Sequence, residues 1–174
     1  VGRWRCPGSP FRLGVLGQVH VANREFLWSH PENERVALLD VRTPEEYAGT
    51  KRLSARGGHI PGAVNLNWLE TIDHDNHLRL KPKGVLTRML TERGIRPAQE
   101  VIAYCQTHHR SAHAWMMLKF LGYHSVRGYP GSWSEWGNDP ATPGELATRK
   151  KPCSLSSVPV PQLPPRNPKH KPHF

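Results

Sequence analysis

The sequence predicts an α/β domain on a mostly parallel sheet, and three observations carry that prediction. Short apolar runs of strand length alternate with helix signals between residues 35 and 138. Two of those runs close on chemically distinctive residues, Asp40 and Cys105. The length of 174 residues suits one domain with one core.

The elements follow in order. "RVALLDV" (35–41) is a short apolar run with β-branched residues, read as a buried strand. "TPEEYAG" (43–49) starts a helix: Thr43 as N-cap, Pro44 at the first helical position, Glu45 and Glu46 in the first turn, and Gly49 as the stop. "GAVNL" (62–66) is a second short strand after the turn "HIPG". "PKGVLTRMLTERG" (82–94) has apolar residues at 85, 86, 89 and 90, the stripe of an amphipathic helix, and Gly94 stops it. "EVIAYC" (100–105) is a third strand, "SAHAWMMLKFLG" (111–122) a helix ended by glycine, and "SVRGY" (125–129) a fourth strand. "GSWSEWGN" (131–138) reads as a short helix or turn.

Charge is concentrated at the ends. Residues 148–174 hold six Lys or Arg and no acid, and residues 1–17 hold three Arg and no acid. Residues 18–147 therefore hold fifteen bases and fourteen acids, so the net +10 of the chain belongs mostly to its ends. That near-neutral middle carries no nucleic-acid footprint. The tail from 148 to 174 is basic and Pro-rich, with few large apolar residues, and is expected to be disordered. Residues 1–17 read as an irregular leader without the apolar stretch of a signal peptide. The start at Val1 reads as that of a fragment or processed product.

No apolar run reaches the ~18 residues of a membrane span. The three cysteines, Cys6, Cys105 and Cys153, are odd in number and irregular in spacing, which argues against a disulfide framework. A reducing, cytoplasmic setting is expected.

The stretch "VIAYCQTHHRSAHAW" (101–115) concentrates the chemistry. Ligands of open parallel sheets bind beyond the carboxyl ends of the strands, where Cys105 and Asp40 are both placed. Between Cys105 and Ser111 the backbone must curl tightly to pass from strand to helix. Amide N–H groups in such a curl converge into an anion-binding nest, and the following helix N-terminus adds positive potential. A thiol at its centre has its thiolate favoured and its pKa lowered. His108, His109 and Arg110 add cationic or hydrogen-bonding groups at the rim.

Three other readings compete. A buried cysteine can serve only as a small hydrophobe. Cys105, His108, His109 and His113 include an i, i+4 His pair, but no second Cys or carboxylate lies near in sequence, so no metal is expected. Cysteine phosphatases place five residues between Cys and Arg, whereas four separate Cys105 from Arg110. The smaller ring suits a sulfur atom better than a tetrahedral phosphate.

The stretches "LLDVRTPEEYAG" (38–49), "GGHIPGAVNLNW" (57–68), "VIAYCQTHHRSAHAWMMLKFLGY" (101–123) and "VRGYPGSWSEWGN" (126–138) resemble the rhodanese family of sulfurtransferases. The resemblance covers residues 18–147, and the loop "CQTHHRS" is most similar to that of the catalytic C-terminal domain of bacterial tandem-domain thiosulfate sulfurtransferases. It implies a rhodanese-like α/β domain with a five-stranded parallel sheet flanked by helices on both faces. It also implies a catalytic persulfide on Cys105, and no cofactor. The implied donor is thiosulfate or a related sulfane-sulfur compound, and the implied acceptor is cyanide, a thiol or a dithiol protein. Residues 1–17 and 148–174 match nothing in the family.

On that reading Gln106, Thr107, His108, His109, Arg110 and Ser111 surround the substrate. Arg110 either points to the anion or braces the loop against a carboxylate. Asp40, Arg42 and Trp68 have supporting places: Asp40 accepting loop N–H groups, Arg42 tying segments together, and Trp68 walling the site or packing in the core. Trp133 and Trp136 have the same choice as Trp68, and His59 is read as a satisfied turn histidine. The rival function is a rhodanese-like binding or regulatory module, or a persulfide carrier, without efficient turnover.

Overall fold

The structure, a computed structural model, describes residues 20–29 and 35–146. The expectations for residues 1–17 and 148–174, with Cys6 and Cys153, lie outside the described residues.

The central sheet has four parallel strands: β1 (Val36–Asp40), β2 (Val64–Asn65), β5 (Glu100–Tyr104) and β6 (Val126–Gly128), in spatial order β2-β1-β5-β6. A separate antiparallel pair joins β3 (Ile72–Asp73) to β4 (Arg79–Leu80). The helices are α1 (Arg24–Trp28), α2 (Pro44–Ala48), α3 (Lys83–Glu92), α4 (His109–Leu121) and α5 (Ser132–Trp136), with a 3₁₀ turn at Trp68–Thr71. Among the described residues no helix is long and apolar enough to cross a membrane.

The α/β class is as expected, but among the described residues the sheet has four strands where five were expected. The place of a fifth is taken by a single parallel bridge, Val21 to Gly128, in which Ala22 N–H donates to Gly128 O at 2.9 Å. The chain leaves the sheet at once, because Asn23 caps α1 by accepting from Phe26 N–H.

Strand periodicity explains how both faces are covered. In β5, Val101 and Ala103 belong to a core shared with Leu86 and Leu90 of α3 and Ala114, Met117 and Leu118 of α4. Ile102 and Tyr104 point the other way, into a core with Leu27 of α1 and Trp133 and Trp136 of α5. Successive side chains of a strand point to opposite faces, so a strand buried on both is apolar throughout. Its four buried apolar residues, Val101 to Tyr104, are each 0% exposed.

Local signals place α2 as predicted. The Thr43 hydroxyl accepts from Glu46 N–H at 3.3 Å, and the Glu46 carboxylate accepts from Thr43 N–H at 3.0 Å, a reciprocal capping box. Gly49 ends the helix at φ 83°, a left-handed conformation that glycine adopts without strain. The helix after Cys105 starts two residues before the expected Ser111, because His108 takes a left-handed conformation (φ 72°) and its carbonyl accepts from Ala112 N–H.

Candidate active site

Cys105 follows the last residue of β5 and opens the loop that leads into α4 at His109. Two hydrogen bonds clamp its backbone from the segment after β6. Trp133 N–H donates to Cys105 O at 2.9 Å, and Cys105 N–H donates to Ser132 Oγ at 3.3 Å. Ser132 holds φ at 51° and donates its own hydroxyl to Tyr129 O at 2.8 Å. A non-glycine residue in that region is uncommon and is kept there by such surrounding bonds. Ser134 N–H donates to Gln106 O at 2.9 Å, extending the clamp by one residue.

Within the loop, hydrogen-bond donors converge on the thiol. Burial pushes the Cys105 pKa up, but the Ser111 hydroxyl and the backbone N–H groups of Ser111, Thr107 and Arg110 push it down, and the balance lies below the ordinary thiol value. The Ser111 hydroxyl stands 3.6 Å from Sγ. The residue is only 1% exposed, so its thiol lies beneath the loop. One side of it packs on the core between β5 and α4.

The loop side chains divide by direction. Arg110 makes a two-pronged contact with the Glu46 carboxylate, at 2.7 and 2.9 Å. It therefore braces the loop against α2. Gln106 turns aside, donating to Leu53 O at 3.2 Å and Ser54 Oγ at 3.0 Å, while its Oε1 is buried without a partner. Thr107 and His109 are exposed at the rim and touch each other at 3.1 Å. His108 is half-buried, with Nδ1 2.8 Å from Ser111 Oγ. His113 bonds instead to Thr71 Oγ1, at 3.0 Å, away from His109.

Asp40 and Arg42 form a fully buried pair beside the loop, 0% and 1% exposed. Arg42 Nε donates to both Asp40 oxygens at 3.0 Å, and Asp40 Oδ1 also accepts from Arg42 N–H at 2.9 Å. Arg42 Nη2 reaches Gly58 O at 2.7 Å, and the guanidinium stacks 4.8 Å from the Trp133 ring centroid. These contacts tie β1 to the 57–60 segment and to α5. Trp68 packs on the core with His113 against its edge, centroids 5.7 Å apart. Trp133 and Trp136 are buried in the opposite core. His59 stacks on Tyr47 with ring centroids 3.7 Å apart, and its Nδ1 lies 2.9 Å from Tyr47 O.

Glu46 and Ser132 have no counterpart in the sequence reading of the site. Glu46 signalled only a helix N-terminus, and 64 positions separate it from Arg110. Ser132 sits in a "GSW" stretch whose positive φ no local residue preference announces.

The Glu46 carboxyl has a titration consequence. Burial pushes its pKa up, but Arg110 and the capping bonds from Thr43 outweigh that and hold it at about 2, against an ordinary 4.5. A depressed carboxyl stabilises the fold above its ordinary pKa, and that contribution is lost as pH falls towards the folded-state value. Stability should therefore fall between pH 4.5 and about 2, and Glu46→Gln should flatten that part of the curve. Denaturant unfolding at a series of pH values checks this.

Comparison with known proteins follows the same lines. The model of the family described as "Rhodanese-like domain" matches residues 23–139. The chain is 48% identical over 139 residues to a thiosulfate sulfurtransferase of Pseudomonas aeruginosa, an alignment spanning 80% of this chain and 50% of that one. It is 45% identical, with the same coverage, to a thiosulfate sulfurtransferase of Azotobacter vinelandii. The chain thus spans about half the length of the curated relatives it matches. Among solved structures, an anaerobic ergothioneine biosynthesis enzyme from Chlorobium limicola, in complex with trimethyl histidine, superposes with a TM-score of 0.69 at 26% identity, covering 75% of this chain and 32% of that one.

Proposed function

The chain belongs to the rhodanese family, and from that premise we propose that it is a sulfurtransferase carrying sulfane sulfur on Cys105. The observation that carries the reading is the place of Cys105 at the end of β5, with the Ser111 hydroxyl 3.6 Å from Sγ and the loop holding the thiol below its ordinary pKa.

Thiosulfate is the donor, a choice supported by the names of the relatives. The Cys105 thiolate attacks its outer sulfur. A Cys–S bond forms, the sulfur–sulfur bond of thiosulfate breaks, and sulfite leaves with the electron pair. The outer sulfur of the resulting persulfide is then attacked by cyanide or by an acceptor thiolate, such as one of a dithiol protein. The bond to Sγ breaks and Cys105 returns as thiolate. This is covalent catalysis in two half-reactions. The loop donors stabilise the anionic sulfur in both, in a site shielded from water. Thr107 and His109 meet the donor at the rim. Asp40, Arg42 and Trp68 support the scaffold and take no part in the chemistry. A cytoplasmic setting fits, because a reducing compartment keeps Cys105 free.

Steady-state assay of thiocyanate formation from thiosulfate and cyanide tests the reading. Parallel double-reciprocal lines are the expected result for a substituted-enzyme mechanism. Binding of thiosulfate without turnover would instead assign the chain to the module class.

A further inference from the structure

Ser111 stands at a branch point in the loop. Its hydroxyl has one proton and three neighbours: Cys105 Sγ at 3.6 Å, the carbonyl oxygen of His108 at 3.1 Å, and His108 Nδ1 at 2.8 Å. The close Nδ1···Oγ contact needs one hydrogen between the two atoms. If the hydroxyl supplies it, no proton is left for the sulfur. If Nδ1–H supplies it, the hydroxyl is free to donate, and between the His108 carbonyl and an anionic Sγ the charged sulfur is the stronger acceptor, so the two bonds polarise each other in one direction.

We propose that His108 is a positioning residue: its Nδ1–H donates to Ser111 Oγ, turns the Ser111 proton onto Cys105 Sγ, and so makes the thiol acidic. The backbone is arranged to keep the ring in place. His108 holds φ at 72°, at the N-terminal end of α4, and its ring occupies the space beside Gly128 in β6 where a side chain would stand. A methyl group at position 128 would stand 2.8 Å from His108 Nε2, so the glycine makes room for the imidazole. Burial, with His109 adding repulsion, lowers the His108 pKa, so the ring is neutral at physiological pH and its tautomer decides the direction of the chain. Arg110 beside it pairs with Glu46 of α2, and that contact leaves the His108–Ser111 bond untouched.

The inference rests on the reading of Cys105 as the sulfur nucleophile, yet thiol acidity can be measured without any transfer. The rate of Cys105 alkylation by iodoacetamide is followed against pH, with the Cys105 peptide resolved by mass from those of Cys6 and Cys153. His108→Gly keeps the left-handed backbone and removes the donor. His108→Asn also suits that backbone and offers an amide N–H near the position of Nδ1. The glycine variant is expected to raise the thiol pKa by about one unit, slowing alkylation about tenfold below that pKa, and the asparagine variant to restore it. In a Ser111→Ala background His108→Gly should add nothing further. An unchanged pKa in His108→Gly, or an equal rise in both variants, overturns the inference. If His108→Gly does not fold, nitrogen-15 NMR of the unaltered protein decides: a protonated Nδ1 is required, and a bare Nδ1 contradicts the proposal. A wild-type thiol with an ordinary pKa would instead count against the sulfurtransferase reading itself.

Discussion

Cys105→Ser is expected to abolish sulfur transfer, lowering kcat by roughly four orders of magnitude or more, as loss of a covalent nucleophile does elsewhere. The fold should survive, because the two side chains are nearly isosteric and the backbone clamp from Ser132 and Trp133 does not involve Sγ. The loop donors cannot rescue the variant. They hold the Cys105 thiol below its ordinary pKa, whereas an alkoxide lies far above reach and a hydroxyl oxygen cannot carry a sulfane sulfur. Thiocyanate assay together with circular dichroism checks both halves. Residual transfer near the wild-type rate would move the sulfur-bearing group elsewhere, with Cys6 and Cys153 the remaining thiols.

The largest effect on stability is expected from Asp40→Ala. It removes the partner of a guanidinium that is 1% exposed and leaves it Gly58 O and the rings of Trp133 and Tyr104. Stranding one member of a buried ion pair costs about 3–5 kcal/mol, a large part of the ~5–15 kcal/mol that holds a domain together. Removing both charges, as in Asp40→Leu with Arg42→Met, should recover most of that loss, since replacing a buried pair by apolar groups is often near neutral. Urea unfolding of the three proteins checks the cycle. Activity of Asp40→Ala should fall only with the folded fraction. A well-folded Asp40→Ala protein with no transfer activity would place Asp40 in the chemistry.

What the sequence made legible was local. The capping box of α2 needs only Thr43, Pro44, Glu46 and Gly49, all within seven positions, and it folds as written. The buried strands announced themselves by unbroken apolar runs, and Cys105 by its place between a strand and a helix. The features that tune the site are non-local. Arg110 finds Glu46 across 64 positions. The His108 ring fits beside β6 because Gly128 carries no side chain. Ser132 acts through a backbone amide in another strand's loop. Pattern also failed for elements too short to have a period: α1 with five residues, and β3 and β4 with two each. Among the described residues the fifth strand implied by resemblance is one bridge at Val21, after which the Asn23 cap turns the chain into α1.

The central claim is that this loop holds a sulfur anion on Cys105. Intact mass spectrometry of the cyanide-treated protein, incubated with thiosulfate and freed of excess reagent, measures it most directly. The account predicts a gain of one sulfur atom, located on the Cys105 peptide and removed by a second cyanide treatment. An unchanged mass, or a gain that persists in Cys105→Ser, would contradict it.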